Sequence, residues 1–173
     1  MIHCIEDFIP EKQLLMINNL IKDNQILFSY KTLTDLQVSF SIVHDLKDPI
    51  FIDMYLDLTQ KLINKIKTIF NFEVSNGGLD NIVKYSPEDN LPLHCDHDLR
   101  VPQKIKGTDI SCVIYYNDDY IGGRIVFPKK NIKIYPKKGS LLIFPSYEDY
   151  EHMVEKVQFG NRYITPSFWD IIG

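Results

Sequence analysis

The segment after SNGG (75–78) is a run of short β-type stretches with no helix between them, and this pattern most narrows the possible folds. Seven stretches rich in branched and aromatic residues are separated by turns that contain glycine or proline: LDNIVKYS, LPLHCD, DISCVIYYN, GGRIVFP, NIKIYP, SLLIFP and RYITPSFW. Strands that follow one another without intervening helices build a sandwich or a barrel.

The first third of the chain instead predicts two helices. Residues 9–23 place Pro10 in a first helical turn, and Asp48 can cap a second helix that has Pro49 at its first position. Both segments repeat apolar residues at the three-and-four spacing of a buried helical face. These residues are Leu14, Ile17, Leu20 and Ile21 in the first helix, and Phe51, Met54, Tyr55, Leu58, Leu62, Ile66 and Ile69 in the second.

Helices followed by a run of strands predict an α+β fold. We expect one domain over residues 1–173, with helical support in about 1–75 packed on the outer face of a double-stranded β-helix (jelly roll) sandwich in about 79–170. The 173 residues lie near the usual size of a single domain, and a 45% hydrophobic content is enough for one core.

Composition restricts the classes of partner and the compartment. A net charge of −4 leaves no general basic surface, so nucleic acid is not an expected partner. Three widely spaced cysteines without a CxxC pair argue against a disulfide framework and a thiolate zinc site. The acidic residues near the start and the lack of a long uncharged apolar run predict a soluble cytoplasmic protein without membrane segments. The many isoleucines and the absence of alanine indicate an AT-rich genome, such as that of a phage acting in its host's cytoplasm.

The segment LPLHCDHDLR (91–100) concentrates residues that can bind metals. On a β-strand His94 and Asp96 would project from one face while Cys95 points away, and His97 and Asp98 would begin the following loop. His152 is the candidate third ligand. Two imidazoles and one carboxylate leave three coordination positions open, as in the non-haem Fe(II) oxygenases that bind a co-substrate and O₂ together. A chance H-x-D without metal is the alternative.

Arg162 is the candidate anion-binding residue. It follows Gly160 and Asn161, a plausible hairpin turn, so two antiparallel strands joined there would return Arg162 to the metal pocket. A guanidinium in such a pocket can grip a dicarboxylate through two hydrogen bonds. The alternative is a surface salt bridge.

Together these elements resemble the 2-oxoglutarate/Fe(II)-dependent oxygenases of the prolyl 4-hydroxylase type. The resemblance rests on H-x-D at 94–96, His152, Arg162, VIYYNDDYIGGRIVFP (113–128) and PKKGSLLIFPS (136–146), and it covers about residues 80–170. It implies that His94, Asp96 and His152 hold Fe(II) and that Arg162 pairs with the distal carboxylate of 2-oxoglutarate. The implied activity consumes 2-oxoglutarate and O₂, releases succinate and CO₂, and hydroxylates an unactivated C–H bond, with ascorbate as reductant.

The resemblance also assigns residues around the co-substrate. Tyr85 matches a family tyrosine that lines this pocket, with a core aromatic as the alternative. Tyr115 matches the tyrosine of the family's YLN run, and its hydroxyl is expected to hydrogen-bond the co-substrate.

Three residues that follow Arg162 are further candidates. Thr165 and Ser167 are expected at the co-substrate, and Trp169 resembles a family tryptophan beside the substrate, although this single tryptophan could equally be core. Strand alternation puts these three on one face and Arg162 on the other, so all four can line one pocket only if a bulge occurs near Pro166.

Other positions bear on the substrate. Arg100, in the loop HDLRVPQKIKGT, is the expected substrate contact, with a solvated loop as the alternative. Leu91 stands where the prolyl hydroxylases often have tyrosine, and Arg124 where an acidic residue is common. Both departures count against strict prolyl specificity. The predicted substrate is a peptidyl residue such as proline, with a free amino acid or another small molecule as the alternative. Two other classes are a cupin-like metal-binding or sugar-binding module without oxygenase activity and a structural or interaction protein that keeps the jelly roll without the chemistry. We expect a monomer or homodimer.

Overall fold

Two α-helices form where the sequence predicts them. The computed structural model describes residues 1–28, 30–31, 37–75, 77–97 and 108–172, and within these ranges the helices are α1, Glu11–Asp23, and α2, Pro49–Phe70. Asp48 caps α2 as expected, since its carboxylate accepts a hydrogen bond from the Ile50 amide at 2.9 Å. Neither helix combines the length and the apolar composition that crossing a bilayer requires.

Apart from a π-helical turn at Ile42–Leu46 and three short 3₁₀ segments, the remaining regular structure of the described residues is β. The described strands are β1 His3–Ile5, β2 Tyr30–Lys31, β3 Val38–Ser41, β4 Glu73–Ser75, β5 Asn81–Tyr85, β6 Leu91–His94, β7 Ile110–Tyr115, β8 Ile121–Gly122, β9 Ile125–Phe127, β10 Ile132–Ile134, β11 Leu141–Pro145, β12 His152–Val154, β13 Val157–Phe159 and β14 Arg162–Ile172. Each of the seven β-type stretches predicted from the sequence coincides with one of them, and β14 continues three residues past its predicted stretch, to Ile172.

The strands form two facing antiparallel sheets and a short ribbon. The major sheet has the order β1-β11-β7-β14-β5-β3-β2, with β4 paired to β14, and the minor sheet has the order β10-β9-β12-β6. The ribbon is β13-β8. This arrangement confirms the predicted α+β fold, a jelly-roll sandwich with supporting N-terminal helices.

The N-terminal third contributes more than helices to this sandwich. Strand β1 pairs with β11 at one edge of the major sheet, and β2 and β3 extend the sheet beyond β5 at the other. The predicted boundary near residue 75 therefore does not separate helices from strands, because β1, β2 and β3 precede it and belong to the major sheet. These strands have two to four residues each, too few for a recognisable alternation of apolar and polar side chains.

Two cores lie on opposite faces of the major sheet. The outer core joins the helices to the sheet, and in β7 it receives Cys112 and Ile114. The inner core lies between the two sheets, and there β7 contributes Val113 and Tyr115. Because side chains alternate along a strand, the parity of a position decides whether it faces the helices or the interior of the jelly roll.

Candidate metal centre

Three side chains of the kinds that bind transition metals converge at one end of the inner core. His94 ends β6, His152 begins β12, and the two are directly paired across these antiparallel strands. Asp96 lies in the turn after β6. One ligand atom from each residue lies within 4.8 Å of the other two. The Asp96 carboxylate is 3.1 Å from His94 Nε2 and 3.7 Å from His152 Nε2.

The motif differs in one respect from the strand that the sequence predicts. Strand β6 ends at His94, so it is the turn that brings Asp96 back beside the imidazole. Cys95 does point away, and its thiol donates to the Ser146 carbonyl at 2.9 Å. The ring of His97 stacks on Tyr147 with centroids 4.9 Å apart, outside the cluster. Asp98 lies outside the described residues.

Backbone carbonyls orient both imidazoles. The Nδ1 atom of His94 is 2.8 Å from the Pro92 carbonyl oxygen, and the Nδ1 atom of His152 is 3.1 Å from that of Tyr150. A carbonyl only accepts, so each Nδ1 carries a proton and each Nε2 faces the cluster. The Nε2 atom of His152 presents its lone pair there, whereas that of His94 donates a proton to the Asp96 carboxylate at 3.1 Å. Once His94 loses this proton, both rings are in the tautomer that a metal-binding histidine needs.

One serine hydroxyl binds the carboxylate, and a second serine contacts the first. Ser111 on β7 donates to Asp96 Oδ2 at 2.6 Å, and the Ser111 and Ser146 hydroxyls are 2.6 Å apart. One oxygen of Asp96 is thereby engaged by the protein. Ser111 was not predicted from the sequence, although strand alternation indicates it, because Ser111 and Tyr115 lie on the same face of β7.

The electrostatics of the cluster suit a cation. Burial raises the pKa of Asp96, but the His94 hydrogen bond, the charge of His152 and the Ser111 hydroxyl lower it by more. Burial lowers the pKa of His152 more than Asp96 raises it, which favours a neutral imidazole. Burial also lowers the pKa of His94, but the Asp96 hydrogen bond and charge outweigh it and the net shift is upward. A metal ion would displace this His94 proton.

A second polar site, around Arg162, lies in the inner core. This side chain is 1% exposed, and its Nε and Nη1 atoms are buried without a hydrogen-bond partner among the described residues. Its Nη2 donates to the Tyr115 hydroxyl at 3.5 Å, and its Cζ lies 4.5 Å from the ring centroid of Tyr85. Burial lowers the pKa of Arg162, but Tyr115, Tyr85 and Tyr120 raise it by more, so the guanidinium stays charged. A buried cation with free donors is suited to an anionic ligand.

Arg162 reaches this site by a different route from the predicted hairpin. Strand β13, which precedes Gly160 and Asn161, pairs with β8, whereas Arg162 begins β14 in the major sheet opposite Tyr85. The turn therefore passes the chain from one sheet to another. The expected neighbourhood of Arg162 forms without the expected strand pairing.

The assignments of Thr165, Ser167 and Trp169 to the pocket need correction. Strand β14 pairs with β7 in unbroken register from Ile164 to Trp169, so the bulge near Pro166 that these assignments require does not occur. Thr165 is paired with Ile114, Ser167 with Cys112 and Trp169 with Ile110, all three of which belong to the outer core. The three side chains accordingly face the helices.

Contacts on the outer face agree with this orientation. The Thr165 hydroxyl is 2.6 Å from the Tyr116 hydroxyl, which in turn accepts a hydrogen bond from Tyr55 on α2 at 2.9 Å. Trp169 packs against the backbone of Gly77, where a Cβ atom would clash with the indole. On the inner face, the residues of β14 beyond Ile164 are Pro166 and Phe168, and Phe168 is paired with Ser111.

The structure thus brings six of the predicted residues to the inner core and its metal-binding end. These are His94, Asp96, His152, Arg162, Tyr85 and Tyr115. It places Thr165, Ser167 and Trp169 on the opposite face of the sheet. Arg100 lies outside the described residues.

Comparisons with known proteins agree with this geometry. The family model described as the 2OG-Fe(II) oxygenase superfamily matches residues 81–169. The 2-oxoglutarate and iron-dependent oxygenase domain-containing protein 3 of Xenopus tropicalis is 31% identical over an alignment of 127 residues that covers 67% of this chain and 40% of that protein. The chain therefore spans less than half the length of this relative.

Several prolyl hydroxylases are among the solved structures with a similar fold. The prolyl-4-hydroxylase of Pseudomonas putida has a TM-score of 0.76 at 17% identity, over 99% of this chain and 93% of its own. The Trichoplax adhaerens enzyme, in complex with a hypoxia inducible factor peptide fragment, has a TM-score of 0.72 at 18% identity, over 98% and 83%. The viral collagen prolyl hydroxylase of Paramecium bursaria Chlorella virus-1 has a TM-score of 0.69 at 18% identity, over 99% and 96%. At these identities the likeness concerns the fold.

Proposed function

The chain belongs to the 2OG-Fe(II) oxygenase superfamily, and from this premise we propose that it is a dioxygenase that uses Fe(II), 2-oxoglutarate and O₂ to hydroxylate an unactivated C–H bond. One observation carries the proposal: a cluster of two histidines and one aspartate within 4.8 Å shares the inner core with a buried arginine that lacks an acidic partner among the described residues. Such a pair of sites matches a metal and a dicarboxylate that chelates it.

The residues present fit an Fe(II) ion. His94, Asp96 and His152 supply the two-imidazole, one-carboxylate donor set, and their neighbours already fix the orientation of each ligand. When bound, Fe(II) supplies the redox chemistry that couples decarboxylation of 2-oxoglutarate by O₂ to hydroxylation of the substrate. The chain contributes binding, orientation and exclusion of water.

The residues that line the site support these roles of binding, orientation and water exclusion. The ring of His152 packs against Phe144 and Phe127 at centroid distances of 4.8 and 5.4 Å, which removes water from one side of the ligand cluster. We assign Arg162 to the distal carboxylate of 2-oxoglutarate, and Tyr115 and Tyr85 to the walls of its pocket. No side chain is required as a nucleophile or general base in this scheme.

For the substrate we propose a peptidyl residue such as proline. The three solved structures described above are named prolyl hydroxylases, and the one from Trichoplax adhaerens holds a peptide. Leu91, where a tyrosine is common in that family, is partly buried against the inner core and presents an apolar wall. A free amino acid or another small molecule is the alternative.

Succinate formation tests the proposed function. Purified protein with Fe(II), ascorbate and 2-oxoglutarate is expected to release succinate, and proline-containing peptides are expected to raise the rate more than free proline does. Chelation of the metal should abolish turnover, because the bound metal is the redox centre of the proposed reaction. If the wild-type protein formed succinate no faster than the His152→Ala variant under every condition, the proposed dioxygenase activity would be rejected.

Substitution of Ser111 by alanine tests the support of the carboxylate. We expect about tenfold weaker Fe(II) binding, because Asp96 loses the hydroxyl that fixes it and groups of this kind contribute about 10- to 100-fold to metal affinity. Affinity is measured by competition with a chromogenic chelator. Ser167→Ala is the matched control: it removes a buried hydroxyl from the opposite face and should leave metal affinity unchanged. Equal losses in the two variants would contradict the assigned faces.

A further inference from the structure

Tyr120 has a buried hydroxyl that no described residue satisfies. The residue lies in the connection between β7 and β8, and only 7% of its surface is exposed. Its hydroxyl oxygen is buried and has no hydrogen-bond partner within the described ranges. Burying a hydroxyl without a partner is unfavourable, and nearly all buried polar groups in native proteins are hydrogen-bonded. A bound ligand that accepts a hydrogen bond from Tyr120 would explain why this hydroxyl is buried.

The neighbour of Tyr120 is Arg162. Both side chains pack on Gly123: a Cβ atom there would lie 3.2 Å from Arg162 Cδ and 3.3 Å from Tyr120 Cε2. Gly123 also has a φ of 64°, which glycine adopts without strain, so this position suits glycine on two counts. Burial raises the pKa of Tyr120, and the charge and N–H groups of the nearby Arg162 lower it by less. The hydroxyl therefore stays protonated and lies within the field of the arginine. The guanidinium can offer hydrogens only to the hydroxyl oxygen, so the hydrogen of the hydroxyl is left without an acceptor.

The polar atoms of this pocket can all donate hydrogen bonds. The unpartnered Nε and Nη1 of Arg162 are donors only. The Tyr115 hydroxyl accepts from Arg162 Nη2, which leaves its own hydrogen available, and the Tyr120 hydroxyl can donate as well. A carboxylate offers two oxygens with about four acceptor sites, so it can satisfy several of these donors at once.

We propose that Tyr120 is a co-substrate-binding residue whose hydroxyl donates a hydrogen bond to the distal carboxylate of 2-oxoglutarate beside Arg162. The inference rests on the proposed function and adds a residue that the sequence did not indicate, since Tyr120 follows Asp118 and Asp119 in what reads as an ordinary turn. The proposed role accounts for the buried hydroxyl of Tyr120. It also accounts for Gly123, whose lack of a side chain lets Tyr120 and Arg162 pack side by side.

The test uses Tyr120→Phe, which removes the oxygen and keeps the ring. Calorimetric titration of the Mn(II)-loaded protein measures the Kd of 2-oxoglutarate and of 2-oxopentanoate, which has a methyl group in place of the distal carboxylate. We expect the variant to bind 2-oxoglutarate about 10- to 100-fold more weakly, the range for a hydrogen bond to a charged group. Its affinity for 2-oxopentanoate should match that of the wild type, because that ligand never used the hydroxyl.

Tyr116→Phe is the matched control. It removes a buried tyrosine hydroxyl from the opposite face of the same sheet, so it should lower thermal stability and leave the Kd of 2-oxoglutarate unchanged. Unchanged 2-oxoglutarate binding in Tyr120→Phe would overturn the inference alone. Equal weakening of both ligands would also overturn it, since that result marks a packing role. A wild-type protein that binds no 2-oxoglutarate would reject the proposed function and the inference together.

Discussion

Replacing Asp96 by asparagine is expected to weaken Fe(II) binding by more than about 100-fold and to reduce succinate formation to background. The estimate follows because groups that merely support a ligand contribute about 10- to 100-fold, and Asp96 provides the only anionic ligand of the described cluster. Asparagine keeps the shape and can still accept the Ser111 hydrogen bond, so the fold should survive. Chelator competition and a succinate assay measure the two effects.

His97→Asn is the control within the same motif. His97 is the next residue along the chain, but its ring stacks on Tyr147 and its Nδ1 lies 2.8 Å from the Thr108 carbonyl. Its replacement should leave metal affinity within about threefold of the wild type, because surface and ligand-remote changes are usually small. If His97→Asn removed the metal and Asp96→Asn retained it, the proposed ligand set would be wrong.

Replacing Arg162 by methionine is expected to have opposite effects on binding and on stability. The affinity for 2-oxoglutarate should fall by more than about 100-fold, because the distal carboxylate loses its bidentate, charged partner. Metal binding should be nearly unchanged, since Arg162 makes no described contact with the three ligands. The ligand-free protein should become more stable by about 1–2 kcal/mol, because a buried guanidinium with two unpartnered nitrogens is replaced by an apolar side chain.

Calorimetry and thermal unfolding measure these effects, and the stability gain corresponds to about 2–8 °C in Tm for a chain of this size. Arg124→Met is the charge-matched control. Arg124 is a partly exposed arginine paired with Glu155, so the substitution removes the same charge without touching the inner core. If Arg162→Met lost metal and 2-oxoglutarate affinity equally, Arg162 would be structural. A lower Tm of the ligand-free variant would show that its contacts with Tyr85 and Tyr115 outweigh the cost of its burial.

Local signals in the sequence predicted much of the fold. The Asp48 cap, Pro49 and the long apolar stripe defined α2 almost to the residue, because each feature acts within a few positions. The short N-terminal strands escaped prediction, since β1 has only three residues and depends on pairing with β11 from the far end of the chain. A pairing over that separation has no local signature.

The residues of the site likewise divide into those with a local sequence signal and those whose position depends on long-range strand pairing. The convergence of His94, Asp96 and His152 was predictable from their types and order, although a turn and not a strand positions Asp96. The face occupied by Thr165 was not predictable, because it depends on whether β14 contains a bulge, which the register with β7 decides. Tyr120 was equally hidden, since the path of a connection between strands determines where its hydroxyl lies.

The alternation along β14 has a consequence for how such a protein can diversify. Its inward positions, from Arg162 to Phe168, face the inner core and the proposed site, whereas the outward positions between them pack against the helices. Substitutions at alternate residues of this strand are therefore expected to alter either ligand binding or the docking of the helices, and not both.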